Sequence, residues 1–248
     1  MTGPILETKG VGKVLGHGAA KVEALKSIDL TLEGGKLTLL MGPSGSGKTT
    51  LLSVLGCMLA PTTGTVCVCG VSTEGADAED LARIRRERIG FIFQSYHLFP
   101  TLTAAENVQL ALDVRGERGR KAKARSTEVL VRVGLAHKRR AYPRELSGGE
   151  QQRVAIARAI VANPSAVLAD EPTAALDGTT GQAVMSILAG IARDKNRAVL
   201  VVTHDSRLLP YADRIIRIED GALTAEETTR PTLPKVRMPA ARGWASSS

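Results

Sequence analysis

Residues 42–49 read Gly42-Pro43-Ser44-Gly45-Ser46-Gly47-Lys48-Thr49 and directly follow an apolar run at residues 36–41. The spacing Gly-x4-Gly-Lys-Thr is typical of a loop that binds phosphate. Glycines allow backbone conformations that turn successive N–H groups toward an anion, and a helix starting at the loop adds the positive end of its dipole. Lys48 would supply a charge to the β- and γ-phosphates, and the Thr49 hydroxyl would reach Mg²⁺. This stretch therefore predicts a strand, a phosphate loop and a helix, in that order.

Other stretches with strand character occur on both sides of this loop. They lie at residues 22–32, 65–69, 89–93, 166–170, 198–203 and 214–218. The first of them is expected to be separated from the strand at 36–41 by the turn Glu33-Gly34-Gly35. The later ones are largely apolar and are flanked by helical patterns, which indicates a parallel sheet covered on both faces. The chain is therefore predicted to have an α/β fold.

A segment with a different pattern interrupts this series of strands. Downstream of Gln94 the apolar residues follow helical spacing, and basic residues fill the connections. We expect this segment to form an α-helical subdomain at residues 95–162. It would be inserted into a single domain, residues 1–227, whose core consists of residues 1–94 and 163–227.

The formal net charge of the chain is +8. An excess of basic over acidic residues is compatible with a nucleic-acid partner. However, Arg230, Lys235, Arg237 and Arg242 lie in the segment 228–248, where Pro, Arg, Thr and Ser predominate and we expect a disordered basic tail. We therefore expect no nucleic-acid partner, and attraction to an anionic membrane surface is the more specific interpretation. No apolar run reaches the roughly 18 residues that a membrane span requires.

Polar side chains follow three of the predicted strands. Asp170 and Glu171 end one strand, His204 follows another, and Gln94 ends a third. Ligands collect at the carboxyl ends of strands in open α/β sheets, so these residues are expected at the same edge as the phosphate loop. Asp170 would hold Mg²⁺ through its water shell, and Glu171 would polarise an attacking water. His204 would contact the γ-phosphate, and Gln94 would sense the nucleotide where the core gives way to the helical subdomain.

A second surface for the same nucleotide is predicted far along the chain. Residues 146–153 read Leu146-Ser147-Gly148-Gly149-Glu150-Gln151-Gln152-Arg153, a loop with small residues that opens a helix. One chain is not expected to bring this helix start and its own phosphate loop to one triphosphate. Two copies arranged head to tail would do so.

Together these segments resemble the nucleotide-binding subunit of ATP-binding-cassette (ABC) transporters over about residues 5–225. The resemblance implies a P-loop NTPase (RecA-like) core with a parallel sheet, an N-terminal antiparallel β region and an inserted helical subdomain. Leu146–Gln151 is similar to the family's signature motif, its most specific segment. The other matching segments are the phosphate loop, Phe93-Gln94-Ser95 (glutamine loop), Asp170-Glu171 (magnesium and catalytic pair), Ala175-Leu176-Asp177 (loop that crosses to the other subunit) and Thr203-His204-Asp205 (switch histidine).

The family implies that two subunits enclose two ATP molecules between them. Glu171, His204 and Gln94 would be the catalytic residues, and Mg²⁺ would be bound by Thr49, Gln94 and Asp170. The expected ATP contacts are Gly42, Pro43, Ser44, Gly45, Ser46, Gly47, Lys48, Thr49 and Thr50 from one subunit, with Ser147, Gly148, Gly149, Glu150 and Asp177 from the other.

Within the family, the segments at 88–94 and 102–108 and the signature are most similar to the macrolide-exporter and lipoprotein-releasing branch. That branch implies a second copy of the chain and an integral membrane permease as partners, a periplasmic adaptor protein as a further one, and a position at the cytoplasmic face of the membrane. An alternative is an ATPase that drives a membrane partner acting on a periplasmic enzyme without transport. A soluble ATPase acting on DNA or ribosomes usually carries two cassettes or a long coiled coil, and this sequence shows neither. A nucleoside kinase would share the phosphate loop but would not explain the signature.

The chain departs from the family where an aromatic ring usually stacks on adenine. No Phe, Tyr or Trp precedes Phe91, and Leu15 or His17 lies nearest the expected place. A stacked base is worth about 1–3 kcal/mol in other nucleotide-binding proteins. We therefore expect lower ATP affinity or looser selection of the base.

Overall fold

The computed structural model describes residues 3–232 of the chain. Its strands are β1 (Leu6–Leu15), β2 (Val22–Leu32), β3 (Leu37–Met41), β4 (Thr63–Val68), β5 (Val71–Ser72), β6 (Ile89–Ile92), β7 (Ala166–Asp170), β8 (Ala198–Val202), β9 (Arg214–Glu219) and β10 (Ala222–Thr228). Its α-helices are α1 (Lys48–Leu55), α2 (Ala78–Arg88), α3 (Ala104–Asp113), α4 (Gly119–Arg132), α5 (Gly148–Ile160) and α6 (Gly178–Ala192). Within the same range, no helix combines the length and the apolar composition of a membrane span.

A six-stranded sheet with the order β10-β9-β3-β8-β7-β6 forms the centre of the fold. Strands β9, β3, β8, β7 and β6 run parallel, and β10 pairs antiparallel with β9 at one edge. Every residue of β3 and β8 is buried, as expected for parallel strands that are covered on both faces. The predicted α/β fold with a parallel core is confirmed.

The two faces of this sheet bury two different sets of side chains. Because successive side chains of a strand point to opposite faces, Leu39 and Val201 pack with helices α3 to α6. Leu40 and Val202 pack instead with α1 and with the strands β1, β2 and β4. The helical subdomain therefore shares one continuous apolar cluster with the sheet.

A four-stranded antiparallel sheet with the order β2-β1-β4-β5 covers the second face. The N-terminal antiparallel region is thus present, but strand β1 was not predicted, because left-handed Gly10 and three register shifts against β2 break its alternating pattern. The predicted turn at Glu33–Gly35 leads from β2 into the six-stranded sheet. A Cβ on Gly34 would lie 2.0 Å from the Lys195 carbonyl oxygen, so this turn packs directly on neighbouring backbone.

Helices α3, α4 and α5 fill the chain between β6 and β7, where the residues described include no strand. Two of these helices begin with a reciprocal cap. Thr103 caps α3 together with Glu106, and Ser147 caps α5 together with Glu150. A cap of this kind is worth about 0.5–2 kcal/mol and fixes the residue at which the helix begins.

The C-terminal part differs from the predicted tail. Thr228 ends strand β10 opposite Arg214, and the N–H of Thr229 donates to the Asp213 carbonyl oxygen at 2.9 Å. The Thr232 N–H donates to the Pro210 carbonyl oxygen at 3.1 Å. A disordered tail that starts at Thr228 is therefore wrong, because β10 still includes this residue and backbone hydrogen bonds hold Thr229 and Thr232. The rest of the predicted tail, residues 233–248, lies outside the described residues.

Gly90 allows β6 to lie directly against α5. A Cβ at this position would be 2.2 Å from the Ala159 carbonyl oxygen, and that backbone cannot move without moving the helix. We expect Gly90→Ala to lower the free energy of unfolding by about 1–3 kcal/mol, as overpacking does elsewhere, measured by urea titration.

Gly181→Ala is the matched control for this prediction. A Cβ on Gly181, inside α6, would make an ordinary contact 3.5 Å from the Cβ of Thr173. This variant should be neutral or gain about 0.5–1 kcal/mol from helix propensity. Equal unfolding midpoints for Gly90→Ala and the unmodified protein would contradict the close approach of β6 and α5.

Candidate functional site

The carboxyl ends of the parallel strands lie level at one edge of the six-stranded sheet. Asp170, the last residue of β7, is in register with Val202, and Val202 is in register with Leu40 of β3. On the other side of β7, Ala169 is in register with Ile92 of β6. The residues that follow these strands are therefore brought together from four separate parts of the chain.

The phosphate loop lies between β3 and α1, as predicted. Lys48 is the first residue of α1, and its ammonium group donates to the carbonyl oxygens of Gly42 (2.9 Å) and Pro43 (2.5 Å). The Ser46 hydroxyl is 3.5 Å from the same nitrogen. The ammonium group therefore spans the inside of the loop, where a phosphate on the N-terminus of α1 would lie.

Two glycines of this loop are required by its geometry. Gly47 has φ 100°, and a Cβ there would lie 2.5 Å from the Ala24 carbonyl oxygen. A Cβ on Gly42 would lie 2.1 Å from the Ile218 carbonyl oxygen. The loop thus takes a conformation that L-residues seldom adopt, in a space that excludes a side chain.

Two of the predicted magnesium ligands lie next to one another. The Thr49 hydroxyl is 3.4 Å from Oδ1 of Asp170. Burial is the largest influence on the pKa of Asp170 and raises it, and the negative charge of Glu171 raises it further. The hydrogen bond with Thr49 and the positive charge of Lys48 lower this pKa, but the net effect is a rise. A partly buried carboxylate whose pKa is raised lacks sufficient compensating positive charge. The hydroxyl and carboxylate oxygens are donors that Mg²⁺ prefers, so this pair fits the ion.

Glu171 and His204 form a hydrogen-bonded pair beside these oxygens. Nδ1 of the His204 ring is 2.7 Å from Oε1 of Glu171, which requires the ring proton on Nδ1 when the carboxylate is ionised. The His204 side chain is 70% exposed, whereas that of Glu171 is 16% exposed. Glu171 has φ 46°, and its N–H donates to the Val202 carbonyl oxygen at 3.0 Å. Strain of this kind, about 1–3 kcal/mol, is commonly found at functional sites.

These residues line one cleft of about 830 Å³, which we call the nucleotide cleft. Of the predicted residues, its lining includes Ser44, Gly45, Gly47, Lys48, Thr49, Thr50, Gln94, Asp170, Glu171 and His204. The lining residues for which no site was predicted are Val22, Glu23, Ala24, Lys26, Asp220 and Gly221. The Asp-Gly pair between β9 and β10 is a recognisable turn signal, but nothing local in the sequence places that turn beside the phosphate loop.

One end of the nucleotide cleft is aliphatic. Leu15 and Val22 are paired across β1 and β2, and they are 38% and 62% exposed. The lining given above contains no Phe, Tyr or Trp. Of the two residues nearest the expected place of a base-stacking ring, Leu15 lines this cleft, whereas His17 is not among the lining residues.

The signature segment (Leu146–Gln151) forms the start of α5. The Ser147 hydroxyl accepts from the Glu150 N–H at 3.3 Å, and the Glu150 carboxylate accepts from the Ser147 N–H at 2.9 Å. The backbone hydrogen bond from Ser147 is the main cause that lowers the pKa of Glu150, with Lys138 contributing. The reciprocal cap fixes the residue at which the helix begins.

The signature segment and Asp177 do not belong to the nucleotide cleft of their own chain. Among residues 3–232, the cleft lining includes no residue of α5 and none of α6. A Cβ on Gly149 would lie 2.1 Å from the Thr180 side chain, so the signature packs against the start of α6. Asp177 is exposed and caps α6 by accepting from the Thr180 N–H at 3.0 Å. The structure therefore separates the predicted ATP contacts into two surfaces.

Comparison with known sequences identifies relatives of this arrangement. The macrolide export ATP-binding/permease protein MacB of Rhodopseudomonas palustris (strain HaA2) is 43% identical over 231 residues, which are 93% of this chain. The chain spans only about a third, 35%, of the length of that relative. The lipoprotein-releasing system ATP-binding protein LolD of Bordetella pertussis is 42% identical over 222 residues, which are 90% of this chain and 96% of that protein.

Comparison with solved structures agrees with the sequence relatives. The dimeric post-hydrolysis state of the ATP-binding cassette MJ0796, bound to ADP and Pi, matches with a TM-score of 0.83 and 41% identity. The match covers 91% of this chain and 99% of that one. The sequence family described as ABC transporter matches residues 25–174. From this family match, and from a relative of similar length at 42% identity, we conclude that the chain belongs to the ABC transporter family.

Proposed function

We propose that this chain is the ATP-binding and ATP-hydrolysing subunit that energises a membrane export permease, and that it works as a homodimer. The observation that carries the proposal is the separation, on one chain, of the two surfaces that we predict to contact ATP. Lys48 and Glu171 line the nucleotide cleft, whereas Ser147 lies outside it at the start of α5. The related cassette MJ0796 forms dimers. A head-to-tail dimer would place Ser147 of one copy over the cleft of the other.

The cleft residues have complementary roles in hydrolysis. A water oxygen attacks the γ-phosphorus of ATP, the bond from that phosphorus to the bridging oxygen breaks, and ADP leaves with the electron pair. Glu171 accepts the proton of the water, and His204, at 2.7 Å, holds its carboxylate in place. Lys48 and the first N–H groups of α1 stabilise the charge on the phosphates.

Mg²⁺ is the cofactor that we assign to Thr49, Asp170 and Gln94. When bound, the ion would neutralise charge on the β- and γ-phosphate oxygens. The oxygens of Thr49 and Asp170 are 3.4 Å apart, and Gln94 lines the same cleft. The raised pKa of Asp170 supports this assignment, because a cation would stabilise the carboxylate that burial destabilises.

The permease partner is proposed from the names of the relatives and from one exposed surface. MacB is named as an ATP-binding/permease protein, and LolD as the ATP-binding protein of a lipoprotein-releasing system. Phe99 follows Gln94 closely in the chain and is 54% exposed. The buried amide of Asn107 binds both the N–H (2.8 Å) and the carbonyl oxygen (3.1 Å) of Phe99. Because aromatic side chains are enriched in protein interfaces, this exposed ring on a firmly held loop is our candidate contact for the permease.

We therefore place this chain at the cytoplasmic face of the membrane, with the permease against the Phe99 loop. A periplasmic adaptor protein would then contact the permease and not this chain. Copurification of an integral membrane protein with the chain from native membranes tests this part of the proposal.

Glu171→Gln tests the assignment of the base. Because the amide keeps the shape of the side chain but accepts no proton, we expect ATP binding to persist and turnover to fall by about 10²- to 10⁴-fold. A dimer with bound ATP should accumulate, as seen by light scattering. Glu74→Gln, which changes an exposed carboxylate outside the cleft, should have neither effect. Turnover at the unmodified rate would remove Glu171 from this role.

Mixing two inactive variants tests whether each site uses two chains. Ser147→Arg should retain ATP binding by the monomer and lose turnover, because the damaged surface serves the other subunit's cleft. Lys48→Ala damages the cleft and leaves the signature intact. In a mixed dimer, one site combines the intact cleft of the first variant with the intact signature of the second. Partial recovery of ATPase activity is expected if the sites act independently. A complete absence of ATPase activity in the mixture would indicate that both sites must be intact.

Leu15→Tyr tests the aliphatic base end of the cleft. A ring at this position would stack on adenine, so we expect the ATP dissociation constant to fall by about tenfold, within the range of stacking energies in other proteins. Val114→Tyr adds a ring at a position that is 64% exposed and outside the cleft, and it should leave the dissociation constant unchanged. An unchanged constant for Leu15→Tyr would contradict the placement of the base beside Leu15.

A further inference from the structure

The connection from Gln94 to the helical subdomain adopts an uncommon conformation. Tyr96 and His97 have φ values of 58° and 47°, in the left-handed region that non-glycine residues seldom occupy. The Tyr96 N–H donates to the Phe93 carbonyl oxygen at 3.3 Å, and the His97 ring stacks on that of Phe93 with centroids 4.6 Å apart. Two consecutive residues in this region need contacts from outside the loop to hold them.

Arg158 of α5 supplies the first of these contacts. Its Nη2 donates to the Tyr96 carbonyl oxygen at 2.7 Å, and its Nη1 donates to the His97 carbonyl oxygen. One guanidinium therefore binds two successive carbonyl groups of the connection. The planar fork of an arginine side chain suits this arrangement, because it directs several donors at fixed angles.

The Tyr96 side chain supplies a second contact with the same helix. Its hydroxyl oxygen lies 3.0 Å from the position that a Cβ on Gly148 would take. Leu176, next to Asp177, lies 3.6 Å from the same position. The connection is thus attached to α5 at the signature segment and again at Arg158, about 15 Å further along the helix at 1.5 Å per residue.

We propose that Arg158 is a positioning residue that couples the two ATP sites of the dimer. The inference rests on the proposed function, in which Gln94 serves the cleft of its own chain and Ser147 serves the cleft of the partner. Between these two groups, the structure contains one short loop and one helix joined by Arg158 and Tyr96. A shift of Gln94 toward the γ-phosphate therefore moves α5, and with it the surface offered to the second nucleotide. By linkage, the coupling acts equally in both directions.

The test is made in the Glu171→Gln background, where ATP-bound dimers should persist. Arg158→Met removes the donors and keeps an unbranched side chain. We expect it to raise the ATP concentration for half-maximal dimer formation by about tenfold, a typical coupling factor. The ATP dissociation constant of the monomer, measured at a dilution where no dimer forms, should stay unchanged. Arg158→Lys, which keeps a cation but not the fork, should restore part of the dimerisation.

Arg115→Met is the matched control. Arg115 also donates to two backbone carbonyl oxygens that join the helical subdomain to the core, those of Ala162 and Glu87, and neither bond involves residues 94–97. The Arg115→Met variant should have a lower unfolding temperature but the same ATP concentration for half-maximal dimer formation. An equal shift with Arg115→Met, or none with Arg158→Met and Arg158→Lys, would overturn the coupling role. Failure of Glu171→Gln alone to dimerise with ATP would instead overturn the proposed function on which the inference rests.

Discussion

The level register of β6, β7, β8 and β3 is the constraint on which the rest of this molecule depends. These strands are apolar on both faces, so side-chain burial alone would allow them to slip. Backbone hydrogen bonds at the opposite edge of the sheet prevent this. The Ser165 N–H donates to the Arg88 carbonyl oxygen, and the Ala198 N–H donates to that of Ser165, both at 2.9 Å. Because the strands start level, they also end level, and the polar residues after them meet in one cleft.

Where local pattern and tertiary environment agree, the sequence was sufficient to predict the structure. In β7, for example, the apolar run predicts a buried strand, and the charged Asp170 at its end predicts a position at the edge of the sheet. The phosphate loop is another such case, because Gly47 is required by its own backbone conformation. The start of α5 was also predictable, since Ser147 and Glu150 form a capping pair within one helical turn.

The sequence was insufficient where distant backbone decides the arrangement. The Gly221 N–H donates to the Ser46 carbonyl oxygen, and the Lys26 N–H donates to that of Gly221. These bonds bring a turn near the end of the described chain to the phosphate loop, without any side-chain signal. Strand β1 was missed because its bulges hide the alternation, although its pairing on both sides stabilises it. The contact of Arg158 with Tyr96 and His97 likewise joins residues about sixty positions apart, through carbonyl groups that every residue carries.

The position of the signature on the outside of the chain also has a genetic consequence. In the proposed dimer, a copy damaged at Ser147 would keep its own cleft intact and could still pair with undamaged copies, but it would deprive each partner of the surface proposed to cover the partner's nucleotide. Such an allele would interfere with the wild-type product when both are expressed. An allele that unfolds the polypeptide merely reduces the number of copies and is recessive. Whether an allele is dominant or recessive would therefore depend on the part of the molecule that the amino-acid change affects.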